Sequence, residues 1–136
     1  MSTYQAYNAY KTNAAQTASP GELTLMLYNG CLKFIKLARK AIEEKNIPEK
    51  NKYLQRAQDI IQELMVNLNM DYELSHQLMQ MYDYLLHRLV EVNIENNLEK
   101  LAEVEEYVTQ FRDTWKEVIK IHRQQQFGAG LTKESV

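Results

Sequence analysis

Residues 19–45 read SPGELTLMLYNGCLKFIKLARKAIEEK, and this stretch decides the fold. Ser19 is a good N-cap, Pro20 suits the first position inside a helix, and the acid three residues after the serine completes a capping box. Few helix breakers follow until residues 46–48, where a proline disfavours helix in the residue before it. The stretch therefore predicts a first helix over residues 20–45.

Three more segments carry apolar residues at the three- and four-residue intervals of a helix. The predicted bounds are Pro48 to about Asn69 for helix 2, a cap at Asp71 to about Glu95 for helix 3, and the break at Asn96-Asn97 to about Gln126 for helix 4. Long helices joined by very short loops become antiparallel neighbours. We predict an all-α fold, an antiparallel up-down four-helix bundle over 20–126, with a Tyr-rich N-terminal arm at 1–19 and a flexible tail at 127–136.

Length and composition narrow the class of protein. The 136 residues suit one domain, and the net charge of −2 gives no basic excess to draw the chain onto nucleic acid. No stretch approaches the ~18 apolar residues of a membrane span, and the N-terminus lacks a secretory signal. The single cysteine, Cys31, cannot form an internal disulfide, which favours a reducing compartment. We expect a cytoplasmic protein without nucleic-acid partner or membrane insertion.

Charge is segregated along the chain. Residues 33–56 hold eight Lys or Arg and three acids, whereas residues 59–117 hold thirteen acids and four bases. The usual interpretation is that these are the solvated faces of a bundle. A membrane or nucleic-acid role for Lys33, Lys36 and Lys40 is the alternative, but no interleaved aromatic residues support it.

Two helices carry more apolar surface than a bundle core needs, since a stripe a little wider than ~100° is enough. On helix 1, Leu25, Tyr28, Leu32 and Ile35 lie nearly opposite the stripe of Leu23, Leu27, Gly30, Phe34, Ala38 and Ala41; on helix 3, a second row holds Tyr72, Met79, Leu86 and Val90. Exposed apolar patches mark interaction sites. The alternative is a central helix that is buried on two sides.

Catalytic and metal-binding patterns are incomplete. A di-iron carboxylate bundle needs two Glu-x-x-His motifs, and this chain has one, Glu73-Leu74-Ser75-His76; His87 and His122 lack the glutamate. There is no cysteine pair for zinc and no glycine-rich phosphate loop. Cys31 lies among apolar residues, as a buried hydrophobe does. We expect no enzyme, no metal and no cofactor.

The N-terminal arm places Tyr4, Tyr7 and Tyr10 three residues apart, beside a bundle with grooves to cover. Such an arm can act as a lid that a partner displaces, which lowers the apparent affinity for that partner. A disordered leader whose tyrosines have no role is the alternative that spacing leaves open.

Residues 17–31, TASPGELTLMLYNGC, closely resemble the first helix of the flagellar export chaperone family FliS. Supporting motifs are NLN at 67–69, MYDY at 81–84, VEEYV at 104–108 and FRDTW at 111–115, so the similarity covers nearly the whole chain. The resemblance implies a cytoplasmic four-helix bundle that binds the disordered C-terminal region of flagellin. Binding prevents premature polymerisation and keeps flagellin competent for export.

The resemblance also implies further partners. Family members dock on the export-gate component FlhA, some meet the regulator FliW, and an N-terminal cap whose tyrosines match Tyr7 and Tyr10 can occupy a flagellin groove. The predicted flagellin contacts are Leu25, Tyr28, Leu32 and Ile35 on helix 1 and Met79, Tyr82, Leu86 and Val90 on helix 3. A homodimeric structural or adaptor bundle is the alternative function, joined through the arm or the surplus stripes. An enzyme or a metal carrier built on a helical bundle is a second alternative function.

Overall fold

A computed structural model describes the backbone of residues 20–135 and the side chains of residues 21–125. It contains four helices: α1 Pro20–Glu43, α2 Ile47–Val66, α3 Glu73–Glu95 and α4 Leu98–Ser135. Within the described residues no strand accompanies them. The predicted all-α four-helix architecture is confirmed.

The helices form a four-membered ring of neighbours. α1 packs against α2 and α4, and α3 packs against the same two helices, so that α1 and α3 are diagonal. The Arg39 guanidinium near the end of α1 donates to both carboxylate oxygens of Glu105 in the first half of α4, at 2.7 and 3.2 Å. Glu22 at the start of α1 pairs with Arg123 much later in α4. These pairings make α1 and α4 antiparallel.

The α1–α2 turn falls within two residues of its predicted position. Lys45 takes a left-handed backbone (φ 57°), and the N–H groups of Lys45 and Asn46 donate to the carbonyls of Ile42 and Ala41. This is the Schellman arrangement that satisfies the last carbonyls of a helix. The Asn46 side chain then accepts from the Glu49 N–H at 3.1 Å and caps α2.

The prediction that Asp71 caps helix 3 is wrong. Tyr72 occupies the N-cap position and makes no side-chain cap hydrogen bond, and α2 ends at Val66, before the predicted Asn69. The Asn69 side chain instead accepts from the backbone N–H of Asp71 at 3.0 Å. Asparagine stabilises local turns in this way, and the connection therefore starts earlier than apolar spacing indicates.

The α3–α4 turn is stabilised by hydrogen bonds from a buried lysine of α2. Asn96 has a left-handed backbone (φ 54°), and the buried Lys50 ammonium of α2 donates to the Asn93 carbonyl at 3.0 Å and to Asn96 Oδ1 at 2.7 Å. A cation at a helix C-terminus also interacts favourably with the helix dipole. Asn97 Oδ1 accepts from the Lys100 N–H at 3.0 Å, which starts α4.

The prediction that helix 4 ends at Gln126 is wrong, because α4 continues to Ser135. Gly128 and Gly130 each weaken a helix by only about 0.5–1 kcal/mol, and no proline follows to stop it. The division into arm, bundle and flexible tail stays an expectation, since residues 1–19 and the side chains after 125 lie outside the described part.

All four helices contribute to one core. It contains Leu27, Cys31, Phe34 and Ala38 from α1, Leu54, Ala57, Ile60 and Ile61 from α2, Leu85, Leu89 and Val92 from α3, and Leu101, Val104 and Val108 from α4. Leu74 near the start of α3 and His122 late in α4 are exposed, because both lie beyond this centre. No described helix is both long and apolar enough to cross a membrane.

Candidate functional site

The second apolar stripe of α1 is buried. Tyr28, Leu32 and Ile35 are 3%, 4% and 0% exposed, and only Leu25 keeps substantial accessible surface. The prediction that this stripe faces solvent is therefore wrong, and the alternative of burial on two sides is correct. The physical reason is that α1 lies between α2 and α4 and needs one apolar face for each.

A pair of tyrosines connects the two diagonal helices through the core. The hydroxyls of Tyr28 and Tyr82 lie 2.5 Å apart, and the ring of Phe111 packs against both, with centroid distances of 6.0 and 5.9 Å. Burial raises the pKa of both phenols, so both stay neutral and share one hydrogen bond. Tyr82 is 2% exposed, so this predicted partner contact also belongs to the core.

The surplus apolar surface that the structure does show lies on α3. Met79, Leu86, Val90 and Ile94 follow one another at intervals of seven, four and four residues, and we call this row the outer α3 surface. Val90 is 43% exposed and Ile94 76% exposed, while Met79 and Leu86 are half-buried. No member of the row carries a charge. Three of the predicted contacts, Met79, Leu86 and Val90, are thus brought together here.

A cavity of about 450 Å³ lies at the α3–α4 turn, close in sequence to Ile94 at the end of the outer α3 surface. It is lined by Ala41, Ile42, Lys45, Asn46, Ile47, Lys50 and Asn96. Ile47 is 61% exposed. Further exposed apolar surface therefore lies at the end of the bundle formed by the two short turns.

A groove of different chemistry follows the contact line of α1 and α4. Two cavities of about 420 and 340 Å³ lie end to end along it. We call their combined lining the α1–α4 groove: Glu22, Leu25, Asn29, Leu32, Lys33, Lys36, Leu37, Arg112, Lys116, Ile119, Lys120, Arg123 and Gln124. Six of these thirteen residues are Lys or Arg and one is acidic. Leu25, the accessible residue of the predicted α1 set, lies in this groove.

Within the described residues the α3–α4 contact line is polar, because ion pairs cross it. Arg88 of α3 bonds Glu103 at 2.9 Å and Glu91 at 3.0 Å, and Lys100 of α4 reaches Glu91 at 2.5 Å. The hydrogen bond from Lys100 is the main cause that lowers the pKa of Glu91. These side chains are partly exposed, so each pair contributes little to stability, but together they make the surface polar.

Residues considered for catalysis or metal binding do not form a site in the described part of the chain. Cys31 is fully buried, and burial raises the pKa of its thiol to about 12, which leaves it unreactive at neutral pH. His76 is exposed, and its Nε2 lies 2.9 Å from the Met70 carbonyl. Across the described residues, no three His, Cys, Asp or Glu side chains are grouped to hold a metal.

The arm tyrosines Tyr7 and Tyr10 lie outside the described residues, so their role stays a prediction.

Four groove residues on α4 are not among the site residues predicted from the sequence. Arg112, Lys116, Lys120 and Arg123 line one side of α4, at intervals of four, four and three residues. The acidic segment at residues 59–117 includes Arg112 and Lys116 but not Lys120 and Arg123, so segment charge alone does not show this row. The helical spacing of these basic residues along α4 is the sequence signal that could have identified the row.

Comparisons with known proteins identify the family of the chain. The family described as "Flagellar protein FliS" matches residues 3–122. The flagellar secretion chaperone FliS of Bacillus subtilis (strain 168) is 54% identical over 130 residues, which are 96% of this chain and 98% of the relative. The flagellar secretion chaperone FliS of Campylobacter jejuni is 33% identical over 120 residues, covering 87% of this chain and 94% of the relative. The chain belongs to the FliS family.

Proposed function

We propose that this protein is a cytoplasmic flagellar secretion chaperone that binds the disordered C-terminal region of flagellin. By holding that region it prevents premature polymerisation and delivers flagellin to the export apparatus. Its family supports the general role, since relatives bear the name flagellar secretion chaperone. It acts as a binding protein and not as an enzyme.

The outer α3 surface is the observation that carries the flagellin proposal. A disordered segment loses conformational entropy when it binds, so it must bury enough apolar surface to compensate. Val90 and Ile94 already face solvent, and each large side chain contributes roughly 1.5–3 kcal/mol when it is fully buried. An amphipathic helix with anchors at i, i+3 or i+4, and i+7 matches the spacing of the row. We therefore assign Met79, Leu86, Val90 and Ile94 as the client contacts.

The other predicted contacts enter the proposal differently. Tyr28, Leu32, Ile35 and Tyr82 support the bundle from its core, so a direct contact with flagellin needs a rearrangement of α1 or α3. Leu25 lies in the α1–α4 groove, away from α3. The Tyr7 and Tyr10 arm serves as a displaceable cap, and docking on FlhA, with FliW as a further partner, belongs to the same proposal.

Co-purification with two forms of flagellin tests the proposal. Full-length flagellin should be retained by the protein and stay monomeric, whereas flagellin without its C-terminal region should pass through. Equal retention of both forms would contradict it. A stable dimer in light scattering that ignores flagellin would instead support the homodimeric adaptor bundle.

A double charge substitution locates the site. Leu86→Glu with Val90→Glu should abolish flagellin retention while the helical circular dichroism is unchanged. Val66→Glu is the matched control, because Val66 is 77% exposed at the end of α2 and lies outside the outer α3 surface. The site is misplaced if the double variant retains flagellin as well as the control does.

A further inference from the structure

We propose that the α1–α4 groove is a second docking site, distinct from the outer α3 surface, and that its occupant is an acidic amphipathic helix of a partner polypeptide. This proposal does not depend on the flagellin assignment. It stands on the shape of the groove, its apolar floor and its basic rim.

The groove has the dimensions of a short helix. Its lining runs from Glu22 to Leu37 on α1 and from Arg112 to Gln124 on α4. At ~1.5 Å per residue these spans are about 18–22 Å long. A docked helix of about 12–15 residues, or three to four turns, covers this length.

Floor and rim have separate chemistry. Leu25, Leu37 and Ile119, which are partly exposed, supply apolar surface along the bottom. Lys33 and Lys36 stand on the α1 side, while Arg112, Lys116, Lys120 and Arg123 stand on the α4 side. An occupant that fits both must carry an apolar stripe with acidic residues on each side of it, which is the pattern of an acidic amphipathic helix.

Four of the six rim cations make no ion pair within the described part of the chain. Arg123 pairs with Glu22, and Arg112 lies 3.1 Å from Asp113. Lys33, Lys36, Lys116 and Lys120 form no ion pair with any described residue, although Lys33 lies near the Phe34 ring at 5.9 Å. Like charges held in a row repel one another, so an acidic partner removes an unfavourable interaction as well as adding favourable ones.

The chain's own N-terminal arm lacks this chemistry. Residues 1–19 contain one Lys and no Asp or Glu, so they cannot neutralise the rim. Nucleic acid fits less well than a helix, because none of the thirteen lining residues is aromatic and single strands bind by stacking on aromatic rings. Charge complementarity therefore selects an acidic helix.

The test uses two designed peptides of about 14 residues with leucines at i, i+4, i+7 and i+11. One carries glutamates beside the leucine stripe and the other carries glutamines at the same positions. Fluorescence anisotropy at low salt should show that the full chain binds the glutamate peptide at least about tenfold more tightly, and that added salt removes the difference. Equal affinity for both peptides would overturn the proposal.

Variants place the peptide in the groove. Lys116→Glu with Lys120→Glu should weaken glutamate-peptide binding by at least about tenfold, and Leu25→Gln should weaken binding of either peptide. Lys45→Glu is the matched control, because Lys45 is exposed at the α1–α2 turn and does not line the groove; it should bind as wild type does. The proposal is overturned if the groove variants and the control bind alike.

Three other occupants have distinct signatures, and each would overturn the assignment to an acidic helix. A second copy would give a dimer that dissociates in salt and in the Lys116→Glu, Lys120→Glu variant. A single-stranded oligonucleotide or an anionic phosphatidylserine vesicle would bind more tightly than the glutamate peptide, with no effect of Leu25→Gln.

Discussion

The outer α3 surface and the α1–α4 groove run along different sides of one bundle and differ in charge. The first is a neutral apolar row in which Val90 and Ile94 face solvent. The second holds its apolar residues at the bottom of a groove whose rim carries six Lys or Arg. A neutral row selects a partner mainly by apolar area, whereas a charged rim adds selectivity for acidic sequences.

The difference shows that exposed apolar area alone does not define what a bundle binds. Both surfaces could bury the apolar face of an amphipathic helix, yet only one discriminates by charge. Binding at the outer α3 surface should therefore be nearly independent of salt, and binding in the α1–α4 groove should weaken as salt increases. Substitutions in the shared core and on each surface should separate their contributions.

The largest effect is expected in the core that both surfaces share. Leu85→Ala should lower the free energy of unfolding by about 2–5 kcal/mol, because Leu85 is fully buried and alanine leaves a cavity. Urea unfolding followed by circular dichroism measures the change. Leu74→Ala, on the same helix but 61% exposed, should change stability by less than about 0.5 kcal/mol. Similar losses in both variants would contradict the assigned core.

The tyrosine pair that links α1 to α3 should give the next largest effect. Tyr82→Phe leaves the buried Tyr28 hydroxyl without its partner and should cost about 1–3 kcal/mol. The double variant Tyr28→Phe, Tyr82→Phe should recover most of that loss, because no unpaired hydroxyl remains. A thermodynamic cycle of urea unfolding measures both. Strictly additive losses would show that the hydroxyls do not interact.

Trp115 should distinguish the two surfaces. Its indole N–H donates to the Gly21 carbonyl at 2.7 Å and joins α1 to α4 at the residues that precede Glu22 and Lys116 of the groove. Trp115→Phe should cost about 0.5–1.5 kcal/mol of stability and weaken glutamate-peptide binding, but leave flagellin retention unchanged. Weaker flagellin retention with normal peptide binding would contradict the assignment of flagellin to the outer α3 surface and of the acidic helix to the α1–α4 groove.

The smallest effect is expected for the ion pair on the α1–α4 contact line. Arg39 and Glu105 are 28% and 24% exposed, so Arg39→Gln should cost only about 0.2–1 kcal/mol at low salt and less at high salt. Urea unfolding at two salt concentrations measures it. A loss that is large and independent of salt would mean that this pair, and not apolar packing, joins the two helices.

Much of the fold follows from local chemistry that the sequence displays. Pro20 marks the start of α1, the asparagines at 46 and 96 mark turns, and the apolar surroundings of Cys31 predict its burial. Apolar spacing also predicts Met79, Leu86 and Val90 of the outer α3 surface, but not Ile94. These features depend on residues close together in sequence.

What escaped prediction depends on which helices become neighbours. The width of the apolar arc on α1 is readable, but its burial follows only once α2 and α4 are placed on its two sides. The basic groove likewise combines Lys33 and Lys36 with cations about 80 residues later, and only the antiparallel register of α1 and α4 brings them together. Asp71 does not cap α3 as predicted, because its backbone N–H is held in a side-chain turn by Asn69.

Calorimetric titration of a flagellin C-terminal fragment into three proteins tests the division of the bundle most directly. The proteins are wild type, the variant with Leu86→Glu and Val90→Glu, and the variant with Lys116→Glu and Lys120→Glu. The account predicts that the first variant binds about 30-fold or more weakly, since a buried anchor contributes about 2 kcal/mol, and that the second binds within about threefold of wild type. Loss of binding in the groove variant, with normal binding in the α3 variant, would contradict it.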